Sequence, residues 1–95
     1  MPVAFGAVAQ ILETRGWCQG RAQDRTGRVS LGGALDDLVG RLATSDRERL
    51  VMRARLRNRL CHCAGAGALD AWNDDPARSY GDITDLLRYA QFLSA

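Results

Sequence analysis

Apolar side chains recur every three or four residues in four segments of the chain, which is the period of an amphipathic helix. The clearest stripe consists of Leu31, Ala34, Leu35, Leu38 and Leu42. The four segments predict helices at about 3–15, 31–42, 46–60 and 80–92. The pattern therefore predicts a mainly α fold, a small irregular four-helix bundle.

Polar residues in front of three of these segments support the predicted helix starts. Ser30 and Ser45 precede the second and third helices, where a serine side chain can accept a hydrogen bond from the first turn. Ser45 with Glu48 matches a capping box, and Ser79 with Asp82 gives a similar signal before the last helix. Each of these helices is therefore expected to start directly after its serine.

The helical period is lost at 17–30 and again at 65–79. The turn-forming sequence Asp24–Gly27 predicts a loop or a short two-stranded hairpin in the first of these segments. In the second, Leu69–Trp72 is expected to form at most one short turn, because Pro76 cannot continue a helix and restricts the residue before it.

Composition narrows the class of protein without naming a function. The chain has 95 residues, 46% of them hydrophobic and 25% charged, which suits one ordinary globular domain spanning 1–95. No apolar run approaches the ~20 residues that a membrane-spanning helix needs, so we expect no membrane partner. All 13 basic residues are arginine, but a GC-rich genome explains this bias and the net charge is only +2.

The cysteines and the one histidine are candidates for metal binding or catalysis. Cys18, Cys61, His62 and Cys63 are ligand types of a zinc site, but structural sites space paired ligands two to four residues apart and adjacent ligands diverge. Cys18 with His62 could form a nucleophile and its base, without any supporting motif. We expect structural thiols in a reducing, cytoplasmic compartment, with no metal, cofactor or catalytic residue.

The third predicted helix carries six arginines on about four turns. Arg49, Arg53 and Arg57 are spaced i, i+4 and i+8 and fall between two apolar seams. Arginines in that position either pair with carboxylates of the same domain or contact an anion or a partner surface. The sequence leaves both alternatives open, since nine aspartates are available as intramolecular partners.

Two segments outside the predicted long helices combine a tryptophan with amide or carboxylate groups. The candidate binding residues there are Trp17, Gln19, Trp72, Asn73 and Asp74. Binding residues often lie on loops that a rigid scaffold positions, which favours a shared site. The alternative is that both rings close the ends of one core while Asn73 and Asp74 satisfy backbone groups of a turn.

Four short motifs carry a resemblance to a known family. They are Gly16-Trp17-Cys18-Gln19-Gly20, Leu31-Gly32-Gly33-Ala34-Leu35, Ala71-Trp72-Asn73-Asp74 and Arg78-Ser79. The chain resembles, over nearly its whole length, a family of short proteins of unknown function from actinobacteria and their phages. The second motif has one glycine more than the Leu-Gly-Ala-Leu of that family. The resemblance implies a small, mostly helical, stand-alone domain and supplies no catalytic residue.

These observations favour a small cytoplasmic protein-interaction module without catalytic activity, which binds a protein partner or self-associates. The alternative is a small nucleic-acid-associated regulator that uses the arginine-rich helix 46–60. Stacking aromatic residues are not interleaved with those arginines, which weakens the nucleic-acid hypothesis. A third hypothesis is an enzyme or enzyme accessory with a site around Cys18 and Trp72.

Overall fold

Five helices make up most of residues 4–94, which are the residues that the computed structural model describes. They are α1 (Ala4–Arg15), α2 (Leu31–Leu42), α3 (Asp46–Ala64), α4 (Leu69–Asp74) and α5 (Tyr80–Ser94). The prediction of a mainly helical fold is confirmed. Val3, the predicted first residue of α1, lies outside the described residues.

The serine caps begin three of the helices as predicted. Ser30 Oγ and Ser45 Oγ each accept a hydrogen bond from the backbone N–H three residues later, at 3.0 and 3.1 Å. Asp82 N–H donates to Ser79 Oγ at 3.2 Å, and Ser79 N–H donates to the Asp82 carboxylate at 2.9 Å. These bonds satisfy backbone groups that a helix leaves open at its start.

The fourth helix of the structure corrects the prediction of a single turn before Pro76. Residues Leu69–Asp74 form α4, so the molecule has five helices in its described part rather than four. The reason is that a proline restricts only the residue directly before it. Asp75 has an extended ψ of 125° and lies outside the helix, which leaves the six preceding residues free to be helical.

Two helix ends also lie beyond their predicted positions. α3 continues four residues past Leu60, because its residues remain compatible with a helix until Gly65, which has a left-handed φ of 66°. α5 runs to Ser94, two residues past Phe92, since neither added residue breaks a helix. α1 ends directly before Gly16, which has a φ of 91° and forms the same kind of C-cap.

The segment between α1 and α2 is a long loop with two isolated β-bridges, and no regular hairpin forms there. Val29 pairs in parallel with Trp17 and antiparallel with Gln23. The backbone N–H of Ser30 donates to the carbonyl of Ala22 at 3.0 Å. The loop therefore folds back onto the start of α2.

Asp24 holds the turn at the tip of this loop. Its carboxylate accepts hydrogen bonds from the backbone N–H groups of Thr26 and Arg28, at 2.9 and 3.0 Å. Desolvation acts to raise the pKa of Asp24, but hydrogen bonds from Thr26 and Arg28 outweigh it and lower the pKa to about 2. The carboxylate is therefore charged, and the turn intact, throughout the neutral range.

The core is one cluster of buried apolar side chains between the helices. Its fully buried members include Val8, Leu12, Val29, Leu31, Leu35, Leu60, Ile83 and Leu87. α1, α2, α3 and α5 surround this cluster, each packed against the next, and α4 packs against α2 and α3. Trp17 and Trp72 both contact the cluster, as predicted for the two rings.

Within residues 4–94, none of the helices has the length and apolar content needed to cross a bilayer.

Candidate functional site

Asn73 joins the long loop to the helical bundle. Its side chain is completely buried, and its amide makes four hydrogen bonds. Asn73 Oδ1 accepts from the indole Nε1 of Trp17 at 2.8 Å and from the backbone N–H of Leu31 at 3.0 Å. Asn73 Nδ2 donates to the carbonyl of Cys18 at 3.2 Å and to Asp74 Oδ1 at 2.8 Å. Each donor and acceptor position of the amide is thus occupied by the protein itself.

Gln19 and Asp74 extend this network. Gln19 Nε2 donates to the backbone carbonyls of Asn73 and Asp75, at 2.9 and 2.8 Å. Asp74 Oδ1 accepts from the backbone N–H of Gly20 at 2.8 Å. We call Trp17, Gln19, Asn73 and Asp74 the loop clamp. The two predicted segments do meet, and these hydrogen bonds join the side chains of the clamp to one another and to the backbone. A binding role for these residues remains a prediction.

The fifth candidate of these segments, Trp72, contacts a different residue. The guanidinium carbon of Arg78 lies 3.9 Å from the centroid of the Trp72 ring, and Arg78 Nε donates to the Trp72 carbonyl at 2.9 Å. Trp17 packs against Tyr80 with 6.3 Å between the ring centroids. Both contacts attach the start of α5 and the segment before it to the rest of the fold, and a cation–π contact of this kind contributes about 0.5–2 kcal/mol.

A cleft of about 260 Å³ lies between the loop, α2, α3 and α4. Its charged lining consists of Arg21, Arg53, Arg57, Asp36, Asp70 and Asp74. With three arginines and three aspartates the lining of the cleft has no net formal charge. Arg57 is its least exposed charged side chain, at 17% exposure.

Gly32 creates the space for Arg57 beside α2. A Cβ atom at Gly32 would lie 2.6 Å from Asp70 Oδ1 and 2.7 Å from Arg57 Nη2. Arg57 Nη1 and Nη2 donate to the same Asp70 oxygen at 3.3 and 3.4 Å. Arg57 Nε is buried and has no hydrogen-bond partner among the described residues. The pair attaches α3 to α4 across the first turn of α2.

The six arginines of α3 separate into two groups. Arg49, Arg53 and Arg57 pair with Asp46, Asp36 and Asp70, at 3.3, 2.8 and 3.3 Å. Pairs as exposed as Arg49–Asp46 and Arg53–Asp36 stabilise a fold by at most about 1 kcal/mol. The structure thus contains the intramolecular pairing that the sequence left open, and a partner surface on these three arginines remains a prediction.

The second group consists of Arg47, Arg55 and Arg59. Within residues 4–94, the side chains of these three arginines make no ion pair and no hydrogen bond. No sequence pattern distinguished these three arginines beforehand. Arg49 has its partner Asp46 three residues earlier in the same helix, but the pairing of Arg53 and Arg57 depends on where Asp36 and Asp70 lie relative to α3, and no local pattern in the sequence contains that information.

An uncharged strip, which we call the outer face of α3, lies between Arg53 and Arg57 on one side and Arg55 and Arg59 on the other, and Arg47 lies at its N-terminal end. It consists of Leu50, Val51, Ala54 and Asn58, all exposed to solvent. The side chain of Leu50 is 67% exposed and that of Val51 is 43% exposed. Of the 19 residues of α3, only Leu60 is buried. One side of this long helix is therefore exposed to solvent in the described chain.

The sulfur of Cys18 contacts backbone carbonyls rather than a catalytic base among the described residues. Cys18 Sγ donates to the backbone carbonyls of Arg28 and Arg21, at 3.3 and 3.5 Å, and not to a base. Burial raises the pKa of the Cys18 thiol, and the nearby charge of Asp24 raises it further, which disfavours the nucleophilic thiolate. Among the described residues, no group of three or more His, Cys, Asp or Glu side chains could hold a metal ion.

The fold and these contacts define a class of protein, a small helical domain with a clamped loop and one exposed, arginine-bearing helix. The chain belongs to DUF6197, a family of unknown function whose model matches residues 3–92. No curated protein and no solved structure matches it.

Proposed function

We propose that this protein is a small, non-catalytic protein-interaction module of the cytoplasm, and that the outer face of α3 is its contact surface. The observation that carries this proposal is the exposure of Leu50, at 67%, next to Val51 on an ordered helix. Single exposed leucines are common, but neighbouring apolar residues rimmed by charges are typical of protein interfaces. The three free cysteines support a reducing compartment.

A nucleic-acid partner fits this surface less well. Binding to a phosphate backbone depends on cationic groups that replace its counterions. The outer face is instead uncharged along its centre. Against a phosphate backbone, Leu50 would lose contact with water without gaining an apolar neighbour. The arginines of α3 lie at the edges of the strip, where interface charges improve selectivity and association rate.

A second copy of this chain is also a poor partner for this surface. Two α3 helices packed on their outer faces would bring Arg47, Arg55 and Arg59 of one copy close to those of the other. Like charges placed opposite each other across an interface disfavour association. The outer face therefore suits a different protein better than self-association.

Replacing Leu50 with serine tests this proposal. We expect Leu50→Ser to reduce the protein that co-purifies from a lysate of the native cells at least tenfold, about 1.4 kcal/mol of binding. The melting temperature should change by no more than roughly 4 °C, because surface substitutions usually alter stability by less than 0.5 kcal/mol.

The matched control is Phe92→Ser, which removes an apolar side chain that is 76% exposed near the end of α5. It should leave the co-purified protein unchanged. Equal capture by Leu50→Ser and the wild-type protein would contradict the proposal, as would loss of capture by Phe92→Ser alone.

A further inference from the structure

We infer that the partner presents an amphipathic helix whose apolar stripe is bordered by acidic residues. This inference rests on the proposed function, since it names the kind of partner that the outer face of α3 fits. It follows from two independent features, which are the shape of the outer face and the charge along its border.

The shape of the outer face favours a helix. From Leu50 to Asn58 the strip follows α3 in a straight line for about 12 Å, the rise of eight helical residues. Ala54 lies at its centre and allows a second helix to approach closely, with its side chains between those of Leu50 and Asn58. The backbone groups of α3 are used within the helix, so an added β-strand would find no edge to pair with.

The charge along the border favours an acidic partner. Arg55 and Arg59 lie next to the strip, one turn apart, and Arg47 lies one turn before Val51. None of the three has a carboxylate partner within the part of the chain that the structure describes. Carboxylates four residues apart on a partner helix would match the spacing of about 6 Å between Arg55 and Arg59.

The opposite border of the strip does not attract acidic groups in the same way. Arg53 already pairs with Asp36 at 2.8 Å, and Arg57 pairs with Asp70. Their positive charges are largely compensated inside the molecule. The free positive charge beside the strip, on Arg55 and Arg59, therefore lies on one side only, and that of Arg47 lies at the N-terminal end. This arrangement also sets the orientation in which an acidic helix can bind.

A photo-crosslinking amino acid, benzoylphenylalanine, placed at Asn58 tests this inference, because Asn58 is exposed and lies at the end of the strip, away from the close approach at Ala54. The protein is irradiated in an extract of its native cells, and the protein segment attached at position 58 is sequenced. We expect that segment to be helix-forming, with an apolar repeat flanked by Asp or Glu. Changing Arg55→Gln together with Arg59→Gln should lower the cross-link yield about tenfold.

The matched control is Arg21→Gln with Arg25→Gln, which removes the same charge from two exposed arginines of the loop. It should leave the yield unchanged. A segment without acidic residues, or a yield equal in both double variants, would overturn the inference and leave the proposed function intact. Cross-linking to nucleic acid, or no protein adduct at position 58, would overturn the proposed function itself.

Discussion

Replacing Asn73 with alanine is expected to lower the free energy of unfolding by about 3–5 kcal/mol. The substitution removes four hydrogen bonds at once and leaves the Trp17 indole N–H, the Leu31 N–H and the Cys18 carbonyl without their partner. Each buried polar group that loses its partner costs about 1–3 kcal/mol. Since small domains have a total stability of only about 5–15 kcal/mol, this variant should be close to unfolding.

Denaturant unfolding followed by circular dichroism measures this effect. Gln19→Ala is the control, because it also removes hydrogen bonds of the loop clamp, but from an exposed side chain. We expect the control to cost about 1 kcal/mol. A loss of less than 1 kcal/mol for Asn73→Ala would show that the buried amide does not hold the loop in place.

The second large effect is expected for Gly33→Ala. A Cβ atom at Gly33 would overlap the backbone carbonyl oxygen of Ala22, which accepts the hydrogen bond from Ser30. A backbone group cannot rotate away as the end of a side chain can, so the loop itself must move from α2. We expect a loss of about 2–3 kcal/mol in unfolding free energy, as for other overpacked positions.

Gly40→Ala in the same helix should have the opposite effect. Nothing lies within 4 Å of a Cβ atom at Gly40, so alanine meets no obstacle there. Alanine restricts the unfolded chain and favours the helix, which should raise stability by up to about 1 kcal/mol. Thermal melts of both variants measure these effects, and we expect a lower melting temperature for Gly33→Ala and a higher one for Gly40→Ala. A shift of both melting temperatures in the same direction would contradict the packing of the loop against Gly33.

The long helices are predictable from the sequence because their signals are local. Ser30, Ser45 and Ser79 begin helices through bonds to residues three positions later. The short helix α4 is not predictable in this way. Six residues without a strong apolar period are marginal as an isolated helix, and their helical state depends on contacts with α2 and α3.

The candidate site is predictable only in part, because contacts between distant parts of the chain leave no local signal in the sequence. Their place in two segments outside the predicted long helices indicates Trp17 and Asn73 as candidates, although 56 positions separate them. That their side chains bond to each other depends on tertiary geometry. The pairing of Arg53 and Arg57 likewise depends on aspartates from α2 and α4, so the unpaired Arg55 and Arg59 become visible only in the folded chain.

If the outer face of α3 contacts another protein, as we propose, the backbone amides of this helix must become protected in the complex. Hydrogen–deuterium exchange of the protein alone and of the protein co-purified with its partner measures that protection. We predict that amides within 47–59 exchange roughly fivefold or more slowly in the complex, because binding suppresses local opening of the helix. Protection confined to the loop at 17–30 or to the end of α5, with α3 unchanged, would contradict the claim.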